Sequence, residues 1–233
     1  MEVFMLLHNP FRTLNKFEWL LWLCSLAVVT GSFMLGSAGN PLSLIASLIG
    51  VTALIFVAKG NVWGQVLTVV FSLLYAVISW QFKYYGEMIT YLGMTAPIAV
   101  MSVIAWLRHP SGSGKAEVKV ARLNKSRVVV MLILTIFVTW GFYFILKYFD
   151  TANLIISTIS IATSFLAAYL MLFRSTLYAL AYAANDVVLI TLWVLATIEN
   201  PVYMPMVICF VMFLFNDIYG FLNWQRMRQK QRG

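Results

Sequence analysis

The residues best suited to bind a small ligand lie in the middle of one apolar stretch, which runs from Thr176 to Ile198. The stretch is long enough to cross a bilayer, since a membrane-spanning helix takes roughly 20 apolar residues. Its centre nevertheless contains Asn185 and Asp186, with Tyr182 one turn earlier. A carboxylate at bilayer depth costs about 2.5–3.5 kcal/mol, and such residues usually face the interior of a helix bundle or a wet cavity. The aromatic neighbours indicate that a ligand handled here is flat and cationic.

The composition places this stretch in a membrane protein. Of the 233 residues, 62% are hydrophobic and 10% are charged, whereas a soluble domain has about 45–50% apolar and 25% charged residues. Almost the whole chain divides into apolar stretches of about 20 residues, which predicts an all-α polytopic membrane protein without a soluble catalytic domain. Cys24 and Cys209 both lie in predicted spans, so a disulfide framework is not expected. His8 and His109 lie outside the spans, so no histidine is expected to bind a metal or relay protons within the membrane.

Eight membrane spans are predicted. Short connections join them, except for a long loop of residues 108–126 that begins with Ser and Gly and continues as a basic run. Connections of a few residues make successive helices antiparallel neighbours. The spans cover residues 17–36, 41–58, 62–82, 88–107, 127–148, 152–173, 176–198 and 203–224.

Lysine and arginine set the orientation, because cytoplasmic loops of membrane proteins carry an excess of these residues. With the long loop placed inside, fourteen of the 16 basic residues fall on the cytoplasmic side, and Lys83 and Lys147 fall outside. Both termini are therefore predicted to be cytoplasmic. Topology rather than nucleic-acid binding explains the net charge of +8. The fourteen are Arg12, Lys16, Lys59, Arg108, Lys115, Lys119, Arg122, Lys125, Arg127, Arg174, Arg226, Arg228, Lys230 and Arg232.

Two blocks of three spans share one plan. In each block the first helix ends at a tight basic turn, at residues 59–61 or 174–176, and the third helix ends in Trp106 or Trp224. One further span lies between the blocks, so the second block re-enters the membrane in the same orientation. This predicts a parallel 3+1+3 repeat with one extra N-terminal helix. The predicted divisions are 1–40 for the cytoplasmic N-terminus and extra helix, 41–107 for the first block, 108–126 for the cytoplasmic basic loop, 127–148 for the connecting helix, 149–224 for the second block and 225–233 for the basic cytoplasmic tail.

Polar side chains at helical spacing mark the faces that look inward. One such stripe lies on the third span and another on the sixth. Hydroxyl stripes also serve as packing contacts between membrane helices, at about 0.6 kcal/mol per hydrogen bond, and this alternative stays open for both. The two stripes are Gln65, Thr68, Ser72, Tyr75 and Ser79, and Asn153, Ser157, Ser160 and Ser164.

The acidic residues of the spans differ in what they indicate. Asp186 lies in mid-span, and no basic residue lies in the middle of any predicted span to pair with it, which favours a functional role. Asp217 is either part of the same site or an ion-pair partner of the basic tail, residues 225–233. Glu87 is expected at the membrane interface near Lys83.

Motifs of enzymes are missing from the sequence. It contains no HExxH, no CxxC pair, no Gly-rich phosphate loop and no Ser/His/Asp constellation. Asp186 and Asp217 do not stand in the motifs of an intramembrane aspartyl protease. The sequence therefore predicts a protein that is not an enzyme and uses no cofactor or metal.

Three segments resemble the PnuC-type vitamin-precursor transporters. They are YGEM at Tyr85–Met88, the segment Leu177–Trp193, and FLFNDIYGFLNW ending in Trp224, and the resemblance extends from about Pro41 to Met227. It implies the 3+1+3 architecture of SWEET-like transporters, a homotrimer in the cell inner membrane, and facilitated diffusion of nicotinamide riboside. It also implies a functional link to NAD biosynthesis through a separate cytoplasmic kinase that phosphorylates and traps the riboside.

The penultimate helix departs from the family pattern. Members that carry nicotinamide riboside typically show Trp-x-x-x-Asn, where this chain has Tyr182-Ala-Ala-Asn-Asp186. An acid suits a pyridinium ring, so nicotinamide riboside is the expected ligand. The thiazolium ring of thiamine satisfies the same chemistry, and thiamine or another cationic vitamin is the alternative. A structural or assembly protein of the membrane, without transport, is the more distant alternative.

A substrate site is expected in a central cavity between the two blocks. If Asp186 serves a cationic ring, Asp186→Asn would weaken binding by roughly 1–3 kcal/mol, the range of a charge-assisted hydrogen bond. The same change would reduce the preference for a cation over a neutral analogue. The residues expected to line the cavity are Gln65, Tyr75, Tyr182, Asn185, Asp186 and Asn216.

Overall fold

The structure of the protein, a computed structural model, describes residues 9–35, 41–81, 85–111 and 117–232. Within these residues, eight helices are long and apolar enough to cross a membrane, which confirms the predicted all-α fold of eight spans. An isolated bridge pairs Pro110 with Val118. The helices are α1 Lys16–Leu35, α2 Pro41–Ala58, α3 Val62–Gln81, α4 Tyr85–Leu107, α5 Lys125–Tyr148, α6 Leu154–Leu172, α7 Tyr178–Glu199 and α8 Met204–Lys230.

The helix packing has the same pattern in the two predicted blocks. In the first block α3 packs against both α2 and α4, and in the second α7 packs against both α6 and α8. Between the blocks, α2 packs against α8 and α4 packs against α6. The first helix of each block thus contacts the third helix of the other. α5 lies at the periphery against α6, and α1 covers α2 and α8.

The first helix of each block ends in the same left-handed turn. Gly60 follows α2 with φ of 64°, and Arg174 follows α6 with φ of 54°. In each turn the next residue donates a hydrogen bond to the carbonyl five residues earlier, from Asn61 to Phe56 and from Ser175 to Leu170, both at 2.9 Å. This bond satisfies a carbonyl that the helix end leaves without a partner. The two basic turns expected from the sequence therefore have matching geometry.

A segment that we call the strap, residues 117–124, runs across the end of the bundle that holds these two turns. The amide of Val118 donates to the carbonyl of Gly60 at 2.9 Å, and the amide of Ala121 donates to the carbonyl of Arg174 at 3.0 Å. Val118 is fully buried. Gln231, just after α8, donates to the carbonyl of Val118 and accepts from the backbone amide of Val120. Residues 112–116, in the Ser- and Gly-containing start of the long loop, lie outside the described residues. The described part of the long loop is packed against both blocks.

Two of the hydrophobic clusters in the bundle lie toward its opposite ends. The outer cluster lies toward the end opposite the strap. The basic-end cluster lies under the strap, at the end where most of the basic residues collect. Buried members of the outer cluster include Phe71, Tyr75, Leu189, Trp193, Phe210 and Phe213, and those of the basic-end cluster include Val57, Trp106, Val118, Met171, Tyr178 and Trp224.

Two tryptophans in the basic-end cluster each donate a hydrogen bond to a backbone carbonyl of the other block. Trp224, near the end of α8, donates its indole N–H to the carbonyl of Val57 in α2 at 2.9 Å. Trp106, at the end of α4, donates to the carbonyl of Met171 in α6 at 3.3 Å. The two ring centroids are 5.5 Å apart. Each block therefore supplies a tryptophan that holds the end of the first helix of the other block.

Helix α1 is attached through a buried acid that sequence reasoning missed. Glu18 forms a capping box with Asn15, whose amide donates to Glu18 Oε2 at 2.6 Å. Its other oxygen lies 3.2 Å from Lys59 Nζ and accepts a short hydrogen bond from the Tyr219 hydroxyl. Because Glu18 is completely buried, these partners are needed to offset the loss of water. The N-x-x-E spacing at residues 15–18 was the available sequence signal.

Candidate ligand-binding site

A cavity of about 90 Å³ lies between the outer cluster and the basic-end cluster. Both predicted blocks contribute to its wall. The outer cluster supplies Phe71, Leu189, Phe210 and Phe213, and the basic-end cluster supplies Val57 and Met171. The polar residues of the wall are Gln65, Thr68, Tyr91, Thr95, Ser164, Tyr182, Asn185, Asp186 and Asp217.

Four of the six residues expected at the site line this cavity: Gln65, Tyr182, Asn185 and Asp186. The structure places the other two elsewhere. Tyr75 packs in the outer cluster, with its ring centroid 4.4 Å from that of Tyr91. Asn216 faces α1 and donates to Ser25 Oγ at 3.1 Å and to the carbonyl of Met212 at 2.8 Å. Asn216 therefore joins α8 to α1 in this conformation.

Hydroxyl groups of α6 hold the amide of Asn185. Its Oδ1 accepts hydrogen bonds from Thr163 at 2.8 Å, Ser164 at 3.0 Å and Ser160 at 3.4 Å. The serine stripe of the sixth span thus makes packing contacts, which was the alternative left open. It also fixes the orientation of a side chain that lines the cavity, because the amide cannot turn without losing these bonds.

Asp186 and Asp217 meet in the cavity wall. Asp186 is 3% exposed and Asp217 is 4% exposed, and both line the cavity. Asp186 Oδ2 has no hydrogen-bond partner among the described residues. Where the chain is described, the ion pair recorded is Lys59 with Glu18, not one between Asp217 and the basic tail. Asp217 therefore belongs to the cavity, which was the other interpretation of its position.

Gln65 adds an unpaired donor to the same wall. It is 2% exposed, and its Nε2 has no hydrogen-bond partner among the described residues. A buried amide without a partner costs about 1–3 kcal/mol. A ligand that offers an acceptor oxygen would remove this cost on entering the cavity.

A π-helical turn at Tyr91–Thr95 interrupts α4 where it passes the cavity. The amide of Ala96 donates to the carbonyl of Tyr91, five residues earlier, and Pro97 follows without an N–H to donate. Such turns occur frequently at functional sites. Here the turn carries Tyr91 and Thr95 in the cavity wall. Sequence reasoning missed it, although Gly93 and Pro97 within one predicted span were a usable signal.

The charge of the cavity wall has one sign. Its described residues include two carboxyl groups and no Lys, Arg or His. No group of three or more His, Cys, Asp or Glu side chains able to hold a metal occurs in the described parts of the chain. The wall therefore suits an organic cation and offers a phosphate group no positive partner.

A second cavity, of about 130 Å³, lies at the end of the bundle opposite the strap. Its lining includes Glu87, Asn153, Ser157, Trp193 and Glu199. Glu87 is partly buried here. Its expected neighbour Lys83 lies outside the described residues. Two acids at this end would attract a cation toward the bundle.

Comparisons with known proteins agree with this architecture. The nicotinamide riboside transporter PnuC of Neisseria mucosa is 25% identical over 222 residues, which cover 92% of this chain and 82% of that protein. The nicotinamide riboside transporter PnuC of Haemophilus influenzae is 22% identical over 187 residues, or 80% of each protein. The crystal structure of a vitamin B3 transporter, PnuC, superposes with a TM-score of 0.79 at 25% identity over 94% of both chains.

The pattern of one family extends over most of the chain. The match covers residues 40–226, from just before α2 to near the end of α8. It thus includes both three-helix blocks, the strap and every residue of the cavity wall. This multi-pass membrane protein belongs to the nicotinamide mononucleotide transporter family.

Proposed function

We propose that the protein carries nicotinamide riboside across the membrane. The observation that supports this most directly is the cavity between the two blocks, where two buried carboxyl groups and two tyrosines meet without a basic residue among the described lining. A pyridinium riboside is a flat monocation, so its ring matches the tyrosines and its charge matches the acids. The curated relatives are named as transporters of this compound.

The riboside fits this wall better than the mononucleotide for which the family is named. A mononucleotide carries a phosphate group in addition to the pyridinium ring. Proteins bind phosphate with Arg, Lys or the N-termini of helices, and Asp186 and Asp217 would repel it. The chemistry of the wall therefore favours a nucleoside without phosphate.

Tyr91 and Tyr182 supply aromatic surface from opposite blocks. Tyr91 lies in the π-helical turn of α4, and Tyr182 lies in α7 beside Asp186. A cationic ring over an aromatic face gains about 0.5–2 kcal/mol, with the larger values at desolvated sites. The ring of the ligand is placed between these tyrosines in our proposal, with its amide near Gln65.

Transport is proposed to proceed by alternating access and uncoupled facilitated diffusion. The cavity of about 90 Å³ is smaller than the roughly 300–1,000 Å³ of typical ligand sites, so the blocks must separate to admit a nucleoside. Hydrophobic clusters lie on both sides of the cavity and would open in turn. The exchanged contacts between the blocks, together with the matching turns at Gly60 and Arg174, support the parallel repeat that such rocking needs.

The cellular setting follows from the resemblance and the charge distribution. We place the protein in the cell inner membrane, with the strap end and both termini in the cytoplasm, because the basic residues collect at that end. A homotrimer and a separate cytoplasmic kinase that traps the riboside for NAD biosynthesis complete the proposal. No chemistry of its own is assigned to the protein.

Uptake into proteoliposomes tests the function. Purified protein should equilibrate labelled nicotinamide riboside across the bilayer, while protein-free liposomes should not. Nicotinamide mononucleotide should be carried poorly because of its phosphate group. Preferred uptake of thiamine would transfer the assignment to the cationic-vitamin alternative. Failure to carry any of these compounds would favour a structural role in the membrane.

A further inference from the structure

Two buried carboxyl groups from different helices lie side by side in the cavity wall. Asp186 comes from α7 and Asp217 from α8, and each is at least nine-tenths buried. Both side chains line the same cavity of about 90 Å³. A hydrogen bond between two carboxyl groups requires a proton on one of them. Two like charges so close together cannot both persist at a buried site.

The described residues that line the cavity include no Lys, Arg or His to change this balance. The other titratable groups of the described cavity lining are Tyr91 and Tyr182, and Cys209 and Tyr178 lie in the hydrophobic clusters on either side of the cavity. All of these are neutral when protonated. The pair with one shared proton therefore carries a single negative charge.

A second feature of the wall indicates that this charge faces a ligand. Gln65, on α3 of the other block, lines the same cavity, and its Nε2 is buried without a hydrogen-bond partner among the described residues. Asp186 Oδ2 is also unpaired and buried. An acceptor atom and a donor atom without partners, in one cavity beside a net negative charge, form a site for a cation that also carries a hydrogen-bond acceptor.

We propose that Asp186 and Asp217 share one proton and act together as a monoanionic site that selects monovalent aromatic cations. The inference rests on the proposed function and names Asp217 as a second specificity-determining residue. A monocation neutralises the pair without any change in its protonation. Binding therefore needs no proton exchange, as uncoupled transport requires.

The proposal replaces the expectation from the sequence alone, under which Asp186→Asn by itself reduces the preference for a cation. Asn has the shape of a protonated Asp and can donate a hydrogen bond to the remaining carboxylate. Asp186→Asn and Asp217→Asn should each keep one negative charge in the cavity, so the preference for a cation over a neutral ligand should stay within about threefold of wild type. The double variant carries no charge, and its preference should fall at least tenfold.

Binding calorimetry on the full-length protein in detergent provides the test. The two probes are nicotinamide riboside, which is cationic, and its reduced form, which is uncharged. The ratio of their dissociation constants is compared among wild type, the two single variants and the double variant. Binding of the reduced riboside by a variant shows that its cavity is folded.

The wild type supplies a second measurement that does not depend on any variant. Calorimetry at one pH in buffers of different ionisation enthalpy reports the number of protons exchanged on binding. The expected number is close to zero. Release of about one proton per riboside would mean that the pair loses its shared proton on binding, and it would overturn the proposal.

The variant series separates the remaining outcomes. A loss of preference in Asp186→Asn as large as in the double variant, with Asp217→Asn unchanged, would assign the charge to Asp186 alone and overturn the shared role. Equal binding of both ribosides by wild type would overturn the pair's role and leave the transport function standing. If wild type bound neither riboside, the proposed function would fail, and the role of the pair would fail with it.

Discussion

Tyr182 contributes two separable groups to the cavity, an aromatic ring and a hydroxyl. Tyr182→Ala should weaken binding of the cationic and the reduced riboside alike, by about tenfold, because stacking of the order of 1 kcal/mol is lost for both rings. Tyr182→Phe keeps the ring and should stay within about threefold of wild type. Calorimetry with both ligands measures the effect. A loss confined to the cationic ligand would show that the ring acts only through its interaction with charge.

Thr163 provides a test of how Asn185 is oriented. Its hydroxyl makes the shortest of the three hydrogen bonds to Asn185, at 2.8 Å. Thr163→Val should weaken riboside binding by about threefold to tenfold, since a net hydrogen bond contributes about 0.5–1.5 kcal/mol. The cation preference should not change, because no charge is altered.

Thr158 on the same helix is the matched control. Its hydroxyl bonds only the carbonyl of Leu154, at 2.7 Å, and does not reach Asn185. Thr158→Val should leave riboside affinity unchanged within about twofold. If both threonine variants lost affinity equally, the effect would come from α6 as a whole and not from the orientation of Asn185.

At the scale of elements, the proposed alternating access predicts that the reciprocal tryptophans help to keep the basic end closed. Trp224→Phe removes the hydrogen bond to Val57 at 2.9 Å and should favour opening of this end by about 0.5–1.5 kcal/mol. Opening can be followed with Gln65→Cys in a background that carries Cys24→Ser and Cys209→Ser. The measured quantity is the rate at which a thiol reagent added on the strap side labels this cysteine. The rate should rise about twofold to tenfold, and Trp106→Phe should act in the same direction.

The control for this experiment is Trp140, which lies on α5 and is 64% exposed. Trp140→Phe alters an indole of the same kind without touching the contact between the blocks. In the presence of Trp140→Phe, the cysteine at position 65 should be labelled at the same rate as in the background protein. Unchanged labelling in Trp224→Phe would show that other contacts of the basic-end cluster maintain closure.

At Gly50 of α2, the rings of Phe71 and Phe213 from the outer cluster pack closely against the helix backbone beside the cavity. A Cβ atom at this position would meet Phe213 Cζ at 2.6 Å and the ring of Phe71 at 3.2 Å. Gly50→Ala should therefore destabilise the protein by about 1–3 kcal/mol, the usual cost of overpacking, and thermal unfolding in detergent should show a lower Tm. Gly31→Ala on α1, with nothing within 4 Å, should leave the Tm unchanged or raise it. An equal drop in both would show that helix geometry rather than packing is responsible.

At the scale of the whole molecule, uncoupled transport predicts that gradients of other ions do not drive uptake. Proteoliposomes with a pH or sodium gradient should fill with labelled riboside only to equilibrium, with membrane potential clamped by potassium and valinomycin. The physical reason is that the cavity binds a monocation without changing its own protonation. Accumulation above the external concentration, driven by either gradient, would contradict both the uncoupled mechanism and the monoanionic pair.

Hydropathy was sufficient to predict the fold, because each span must satisfy its own backbone within the bilayer. The eight helices follow directly from runs of apolar residues, and only the start of α4 and the end of α8 extend clearly beyond the predicted bounds. Periodicity also identified Gln65 as an inward-facing residue. The helical spacing alone determines the side of α3 on which Gln65 lies, without information on contacts between helices.

Contacts between helices were beyond the reach of the sequence. Asp186 and Asp217 are separated by a whole helix crossing, so only packing of α7 against α8 brings them together. Asn216 precedes Asp217 by one residue, and a rotation of about 100° per residue turns it toward α1 instead. Tyr75 lies on the same stripe as Gln65, but the stripe is longer than the cavity. Whether a polar residue lines the cavity therefore depends both on its depth along the helix and on the side of the helix that it occupies.

The π-helical turn of α4 lies beside the cavity and is the point at which this helix is expected to bend. Bends in helices concentrate at such turns. The arm Ala96–Leu107 has 12 residues and is about 18 Å long, at 1.5 Å per residue. A tilt of about 10° about the Ala96 end of this arm would displace its tip by about 3 Å, enough to separate Trp106 from the carbonyl of Met171. A ligand that moves Tyr91 would thereby break one of the two indole hydrogen bonds at the strap end, the one from Trp106.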